Sequence, residues 1–428
     1  MKKNNPDQYL IRDSFLITVL TFFIYWLLHL IVINIHFLDR GNESKEDSDF
    51  NDILYSNFGQ QKIDSTKVDS AKNLIYRKQN RDIFLVNIGN ADRNEMAQMI
   101  ENIAQQQPKV IGIDISFASI KEAFSPQLQN SLKKHEKKIV LGGYFTYNDK
   151  SELSEFVESD SAYRYSILTG HTNFVTSFSQ GVVRRFTPFV EFKGDTIPSF
   201  AAAIVKLDSI GAYEKLKKRT EIARSKNKNA PENSDPVEII NYQYAMNSFI
   251  VLEKDEVKNN RFQLSLKDKI VLFGLMGEDS TAHTLEDYHF TPLNQNKNIA
   301  DMSGIGIHAN IINMILSEKY INHFPIWITY VLSFLLCFIH IVWFLKINIK
   351  NHIWYHLQFK IIQFCSLVII VFISLLSYRY FNLRVETSII AVPIALSADA
   401  LIFGGAIAKW LHKKNKTVSY FIQSTKHH

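Results

Sequence analysis

The sequence predicts an α/β domain on a mixed, largely parallel sheet with helices on both faces. The domain is carried by α-helical membrane segments, one N-terminal and three C-terminal. Three observations predict this. Apolar residues gather into four long blocks instead of spreading along the chain. Between the first and second blocks, short strand-like apolar runs alternate with helical periods. Lys and Arg crowd the flanks of those blocks unevenly.

The four blocks are residues 15–38, 324–345, 361–378 and 388–408. Each is long enough to cross a hydrocarbon core about 30 Å thick at about 1.5 Å per residue. Whole-chain averages hide them: mean hydropathy is −0.07 and 21% of residues are charged. The first block exceeds the length of a secretory h-region, and no A-x-A-like site follows it, so it reads as a retained anchor. Lys2, Lys3 and Arg12 precede it. Lys346, Lys350 and Lys360 lie between the second and third blocks, and Lys409, Lys413, Lys414 and Lys416 follow the fourth. The loop between the third and fourth holds only Arg379 and Arg384, offset by Glu386. The positive-inside bias therefore places residues 1–14 and 409–428 in the cytosol and 39–323 outside it, periplasmic in a bacterial inner membrane. The net charge of +6 resides in these flanks and calls for no nucleic acid. Cys337 and Cys365 both fall in membrane blocks, which leaves the exported domain without disulfides or thiolate metal sites.

Within 39–323, residues 39–82 read as a polar stalk. Residues 82–88 (DIFLVNI) form a strand, and 94–106 a helix with Met96, Ile100 and Ile103 on one face and Pro108 beyond its end. Residues 109–116 (KVIGIDIS) form a second strand, 126–135 a short helix, and 139–145 (IVLGGYF) a third strand. This alternation implies parallel strands with covered faces. Residues 182–192 read as a strand or hairpin arm with a turn at Gly194-Asp195, and Pro198 opens a small-residue helix reaching about Lys206. Residues 209–236 are lysine-rich and read as a mobile insertion. Strands follow at 237–242, 248–252 and 269–273, and a helix at 306–316.

Several blocks resemble the type-two CHASE domain, an extracytosolic sensory module of bacterial receptors. They are VIGIDISF at 110–117, GVVRR at 181–185, PSFAAAI at 198–204, KIVLFG at 269–274, and Asp287 followed by TPL at 291–293 and GIGIHAN at 304–310. Their order, with three membrane helices close behind, covers nearly the whole chain. The resemblance implies a signal-input role and leaves the ligand open. After the first strand, the family's acidic and Trp-Pro-containing segment is replaced by residues 87–92, NIGNAD, which weakens a carboxylate site there. About 20 residues follow the last helix, too few for a catalytic output domain, so any output is expected to pass to a separate cytosolic or membrane protein.

Ligands of open parallel sheets sit outside the carboxyl ends of the strands. Asp114 lies there, as do Gly142, Gly143 and Gly274, where a missing side chain opens the backbone to a ligand. Against this stand a capping role for Asp114 and ordinary turns for the glycines. His308 and Asn310 begin the last helix, a place for an anion or for buried structural hydrogen bonds. Arg184 and Arg185 should point to opposite faces, one toward an anionic group and one to solvent. His283, Glu286, Asp287 and His289 cluster, but their spacing fits no zinc signature, so no metal and no cofactor is expected. No G-x-S-x-G, Walker loop or H-E-x-x-H appears, so an enzyme is not expected. In the membrane, Asp399 lies near mid-span and should face protein or water, with His29 as candidate partner. Three functions stay open: a sensor, a scaffolding subunit of an envelope complex and, less favoured, a transporter. A homodimer is compatible with each.

Overall fold

The computed structural model of the chain describes residues 6–38, 79–118, 124–148, 153–175, 181–226, 235–276, 287–294, 300–350, 355–415 and 418–423. The chain divides into two compact units, Asp47–Tyr320 and Met1–Glu46 with Ile321–His428. Helix α1 (Pro6–Leu38) opens the chain and belongs to the second of these.

The globular unit begins with β1 (Ile83–Asn87), α2 (Arg93–Gln105), β2 (Val110–Ile113), α3 (Pro126–Lys134) and β3 (Ile139–Tyr147). Next come β4 (Leu153–Val157), α4 (Ser161–Arg164), β5 (Leu168–His171), β6 (Arg185–Phe186) and the hairpin β7 (Phe189–Phe192) and β8 (Asp195–Pro198). The rest is α5 (Phe200–Asp208), α6 (Ile210–Lys226), β9 (Glu238–Ile239), β10 (Ile250–Leu252), α7 (Lys254–Lys258), β11 (Ile270–Gly274), β12 (Tyr288–His289), β13 (Met302–Ser303) and α8 (Gly304–Leu316). The expected stalk, apart from residues 79–82, lies outside the described residues.

The sheet order is β10-β1-β11-β2-β3, all parallel. β3 is long enough to pair twice more, with β5 in parallel and with β4 antiparallel. Side chains along a strand alternate between faces, and here both faces are dry. Ile83, Leu85, Val110, Val140, Ile270 and Leu272 pack into one core with α5, α6 and α8. Phe84, Val86, Ile111, Ile113, Val271 and Phe273 pack into the other with α2 and α3. That is why the strands read as continuous apolar runs and not as alternating ones.

The helix starts follow local chemistry. Asp92 caps α2, accepting from the amides of Asn94 and Glu95, while Glu95 reaches back to the Asp92 amide. Ser125 caps α3 ahead of Pro126, and Ser199 caps α5. The hairpin turns at Lys193 (φ 52°) and Gly194 (φ 90°), and the positive φ at both positions matches the strand twist.

Two expectations need correction. Residues 210–226 are a helix, not a mobile insertion. Ala212, Leu216 and Thr220 are buried at four-residue spacing, so a narrow stripe docks α6 although its composition is polar. Arg219 donates to both oxygens of Glu238, and Arg224 bridges Glu191 and Asp235. Residues 227–234 of the same segment lie outside the described residues. Of the strand expected over 237–242, only β9 pairs, with β6. Beyond it, the side chain of Asn310 stands in for a neighbouring strand. Its Oδ1 accepts from the amides of Gln243 and Tyr244, and its Nδ2 donates to the carbonyl of Tyr244.

The second unit contains α1, α9 (Ile326–Lys350), α10 (Tyr355–Phe381), α11 (Thr387–Asn415) and the short α12 (Tyr420–Gln423). Among the described residues, four helices are long and apolar enough to cross a membrane, over Tyr9–Leu30, Ile326–Ile347, His356–Phe381 and Thr387–Lys414. Pro393 lies inside α11 and cannot donate to the carbonyl of Ile389. The hydroxyl of Ser333 on α9 donates to that carbonyl instead, at 2.7 Å. Gln363 on α10 donates to the carbonyls of Ile394 and Ala395. Buried Asp13 accepts from the Ser419 hydroxyl and the Tyr420 amide, tying α12 to α1. The pairing considered for Asp399 and His29 is not formed. Both side chains are exposed, and no hydrogen bond or ion pair joins them. Ile394, Ala398 and Leu401 turn inward on α11, and Asp399, one residue past Ala398, falls on the outer side.

Candidate functional site

Parallel strands end together, so their carboxyl ends and the following loops enclose a common space. Here it is a cavity of about 640 Å³. Ile88, Ala91, Arg93 and Met96 come from the end of β1 and the start of α2, and Asp114, Ile115, Ser116 and Phe117 from the segment after β2. Gly142, Gly143 and Tyr144 of β3, Thr172 beyond β5, Leu275 beyond β11, and Asp287 complete the wall.

Asp114 leaves the sheet because its amide donates to the carbonyl of Phe273 in one last ladder bond, at 2.9 Å. Its side chain is 14% exposed. The Nε2 atom of His308 lies 3.9 Å from Asp114 Oδ2, too far for a hydrogen bond. His308 sits in the second turn of α8 and is almost wholly buried. Its ring packs against Phe174, with centroids 4.7 Å apart, and against Phe200 at 5.1 Å. Neither ring nitrogen has a hydrogen-bond partner of good geometry among the described residues, nor do those of His171 at the end of β5. Asp287 reaches the other side. A Cβ placed on Gly304, the first residue of α8, would lie 3.3 Å from Asp287 Oδ1, so the carboxyl rests against the start of that helix.

Burial decides the charge states. Removal from water, with the nearby charge of Asp287 second, pushes Asp114 up to about 8. Burial raises Asp287 to about 6. Burial, with His171 and His289 close by, holds His308 down to about 3, against a small opposing effect of the Thr172 main chain. His171 is lowered to about 4 by burial, and His289 is lowered for the same reason. At neutral pH the cavity therefore holds a protonated Asp114 and a charged Asp287, and the buried imidazoles are neutral. Among the described residues, no Lys or Arg is ion-paired with either carboxyl.

The structure brings Asp114, Gly142, Gly143 and Asp287 into one cavity and places His308 behind Asp114. It assigns other work to the remaining candidates. A Cβ on Gly274 would lie 2.8 Å from that of Ile305, so this glycine admits α8 to the sheet and does not line this cavity. Gly142 lets the 114–115 segment lie against β3, and Gly143 makes room for the ring of Phe156. Asn310 is fully buried, with its hydrogen bonds directed to the backbone and to the sulfur of Met302. Arg184 is half-buried and Arg185 exposed, and neither lines the cavity. Of the His/Asp/Glu group, His283 and Glu286 lie outside the described residues, and His289 packs on Phe174. Among the described residues, no three such side chains are placed to hold a metal ion.

Sequence reasoning missed Asn87, His171, Ser116 and Arg93. The side chain of Asn87 accepts from the amides of Gly89 and Met276 and donates to Glu253, which sets the loops around the cavity mouth. Ser116 belongs to the cavity wall, and its buried hydroxyl has no hydrogen-bond partner among the described residues. Only the strand-end position of Asn87, the last residue of its apolar run, offered a signal.

Comparison with known families finds the CHASE2 domain over residues 62–345. No curated protein and no solved structure matches the chain.

Proposed function

Because the chain belongs to the CHASE2 domain family, we propose that it is a signal-input protein of the bacterial inner membrane. Its globular unit lies in the periplasm, both termini lie in the cytosol, and the strand-end cavity receives the signal. One observation carries the reading: an open cavity of about 640 Å³ in a sensory-family domain holds two carboxyls, neither ion-paired with a Lys or Arg among the described residues. That volume lies in the range of small-molecule sites. The wall of the site is also close in sequence to the membrane. His308 lies on α8, and only residues 317–325 separate that helix from α9. A ligand that prefers one pose of α8 shifts the populations of the attached helix in proportion to its differential affinity.

The output passes to a separate membrane or cytosolic protein. Exposed Asp399 supports this, because a carboxyl on the outer side of a spanning helix is costly against lipid, about 2.5–3.5 kcal/mol at mid-span, and a partner's helix would relieve it. Two measurements test the reading. A reporter inserted near residue 230 should be active only when exported; activity confined to the cytosol removes the input side. Membrane pull-down with the intact chain should recover a protein with an output domain, and the Asp399→Asn variant should lose it. Recovery of envelope structural proteins alone would favour the scaffold reading.

A further inference from the structure

We propose that the strand-end cavity takes a small organic ammonium ion, its N–H donors set between Asp114 and Asp287 and its apolar body along Ile88, Met96, Ile115 and Leu275. This rests on the reading of the cavity as the input site and names the chemistry of what enters it.

The case begins with charge. Two carboxyls face the space, and among the described residues no Lys or Arg forms an ion pair with either. The imidazole of His308 lies behind Asp114 with those of His171 and His289 close to it, and burial holds all three neutral. Arg93, at the rim, stands over the ring of Tyr163, 5.4 Å from its centroid. The compensating positive charge is therefore left for the ligand to bring.

The second line is independent of the acids. His308 is 2% exposed, its ring nitrogens have no hydrogen bond of good geometry among the described residues, and Nε2 lies 3.9 Å from Asp114 Oδ2. Ser116, whose buried hydroxyl has no hydrogen-bond partner among the described residues, belongs to the cavity wall. Buried polar atoms are rarely left unpaired unless something else completes them. A neutral imidazole nitrogen and a hydroxyl oxygen both accept, as carboxylates do, so the set suits a ligand rich in donors. The rings of Phe117 and Tyr144 also line the cavity, and aromatic faces favour a cation. A hard divalent ion fits less well. Calcium needs roughly six to eight oxygens, and no three-residue ligand group is present among the described residues.

The protonation state gives a signature. Entry of the ammonium ion favours the carboxylate form of Asp114, so its proton leaves to solvent and binding releases acid near neutral pH. Asp287, His308, Arg93 and Tyr144 are the other titratable groups around the site, and His308 stays neutral throughout.

The experiment uses the full chain in detergent. Probes are butylamine, 1,4-diaminobutane, 2-phenylethylamine and choline, against butan-1-ol, 2-phenylethanol, butyrate and calcium chloride. At least one amine should raise the melting temperature saturably while its alcohol counterpart does not. Calorimetry at pH 7 in buffers of differing ionisation enthalpy should show net proton release. Asp114→Asn and Asp287→Asn should each weaken amine binding by at least tenfold, and near-isosteric Asn keeps the cavity shape. Equal response to amine and alcohol, proton uptake, or unchanged binding in both variants overturns the inference. If butyrate, an alcohol or calcium binds and Asp114→Asn abolishes it, the ammonium assignment falls and the input-site reading stands. If no probe binds and the Asp114→Asn and Asp287→Asn chains signal normally in cells, both fall.

Discussion

Replacing Asp114 with Asn should stabilise the protein, and by an amount that depends on pH. In the folded state Asp114 keeps its proton up to about 8, whereas an unfolded Asp ionises near 3.9. Between those values the folded chain binds more protons than the unfolded one, so stability falls as pH rises. The stability linked to this group is whole below about pH 4 and is lost progressively as pH climbs toward 8. A difference of about four pH units at 1.36 kcal/mol each sets a ceiling of ~5 kcal/mol. Solvent reaching a side chain that is 14% exposed, and relaxation around it, bring the expected value to about 2–4 kcal/mol. Asn has the same shape and no charge to bury. For a domain of this size, that gain corresponds to a rise in melting temperature of roughly 5–15 °C. The assay is thermal unfolding of the full chain in detergent, wild type against Asp114→Asn, from pH 4.5 to 8. The two should coincide at the acid end and diverge steadily above it. A variant less stable at pH 7.5, or a difference that does not change with pH, would refute the claim that burial governs this carboxyl.

Four further outcomes follow from the same geometry. His308 and His171 are held neutral, so their contribution is lost as pH falls from about 6.5 toward 3–4; His308→Gln should flatten the acid limb of the melting-temperature profile. Asn310→Ala leaves the amides of Gln243 and Tyr244 unpaired, and denaturant titration should show a loss of about 2–4 kcal/mol. Gly170→Ala would set a Cβ 2.6 Å from Phe200 Cα, a clash with backbone expected to cost about 1–3 kcal/mol or more and to lower the melting temperature. Leu216→Ala should cost about 2–5 kcal/mol if α6 is docked, and little if residues 210–226 were the solvated insertion their composition suggests.

Much of the fold was legible because its determinants are local. The strands β1, β2, β3 and β11 read as apolar runs because both faces of each are covered. The caps at Asp92, Ser125 and Ser199 use side chains two or three residues from their targets. The membrane blocks needed only length and apolarity. By contrast, β4 and β5 escaped notice. Four residues, Leu168–His171, give no periodicity, and β5 is a strand because β3 offers it an edge. The α6 stripe was lost in a lysine-rich average, since only one residue in four needed to be buried.

The candidate site divides along the same line. Asp114 and the glycines of β3 were marked by their place at strand ends, which the chain order alone supplies. That Asp114 meets Asp287 and His308, and that neither Gly274 nor Asn310 joins them, depends on how α8 lies across the sheet. The pairing of the Ser333 hydroxyl with the carbonyl that Pro393 leaves open was equally hidden, because the two residues lie on different helices. Sequence by itself determined the central strands, the capped helices and the helices long and apolar enough to cross a membrane, through side-chain spacing, capping and hydrophobic length. The tertiary structure alone decided which acids lose their water and share a cavity. Desolvation and electrostatic coupling act across space, between groups as far apart along the chain as Asp114 and Asp287.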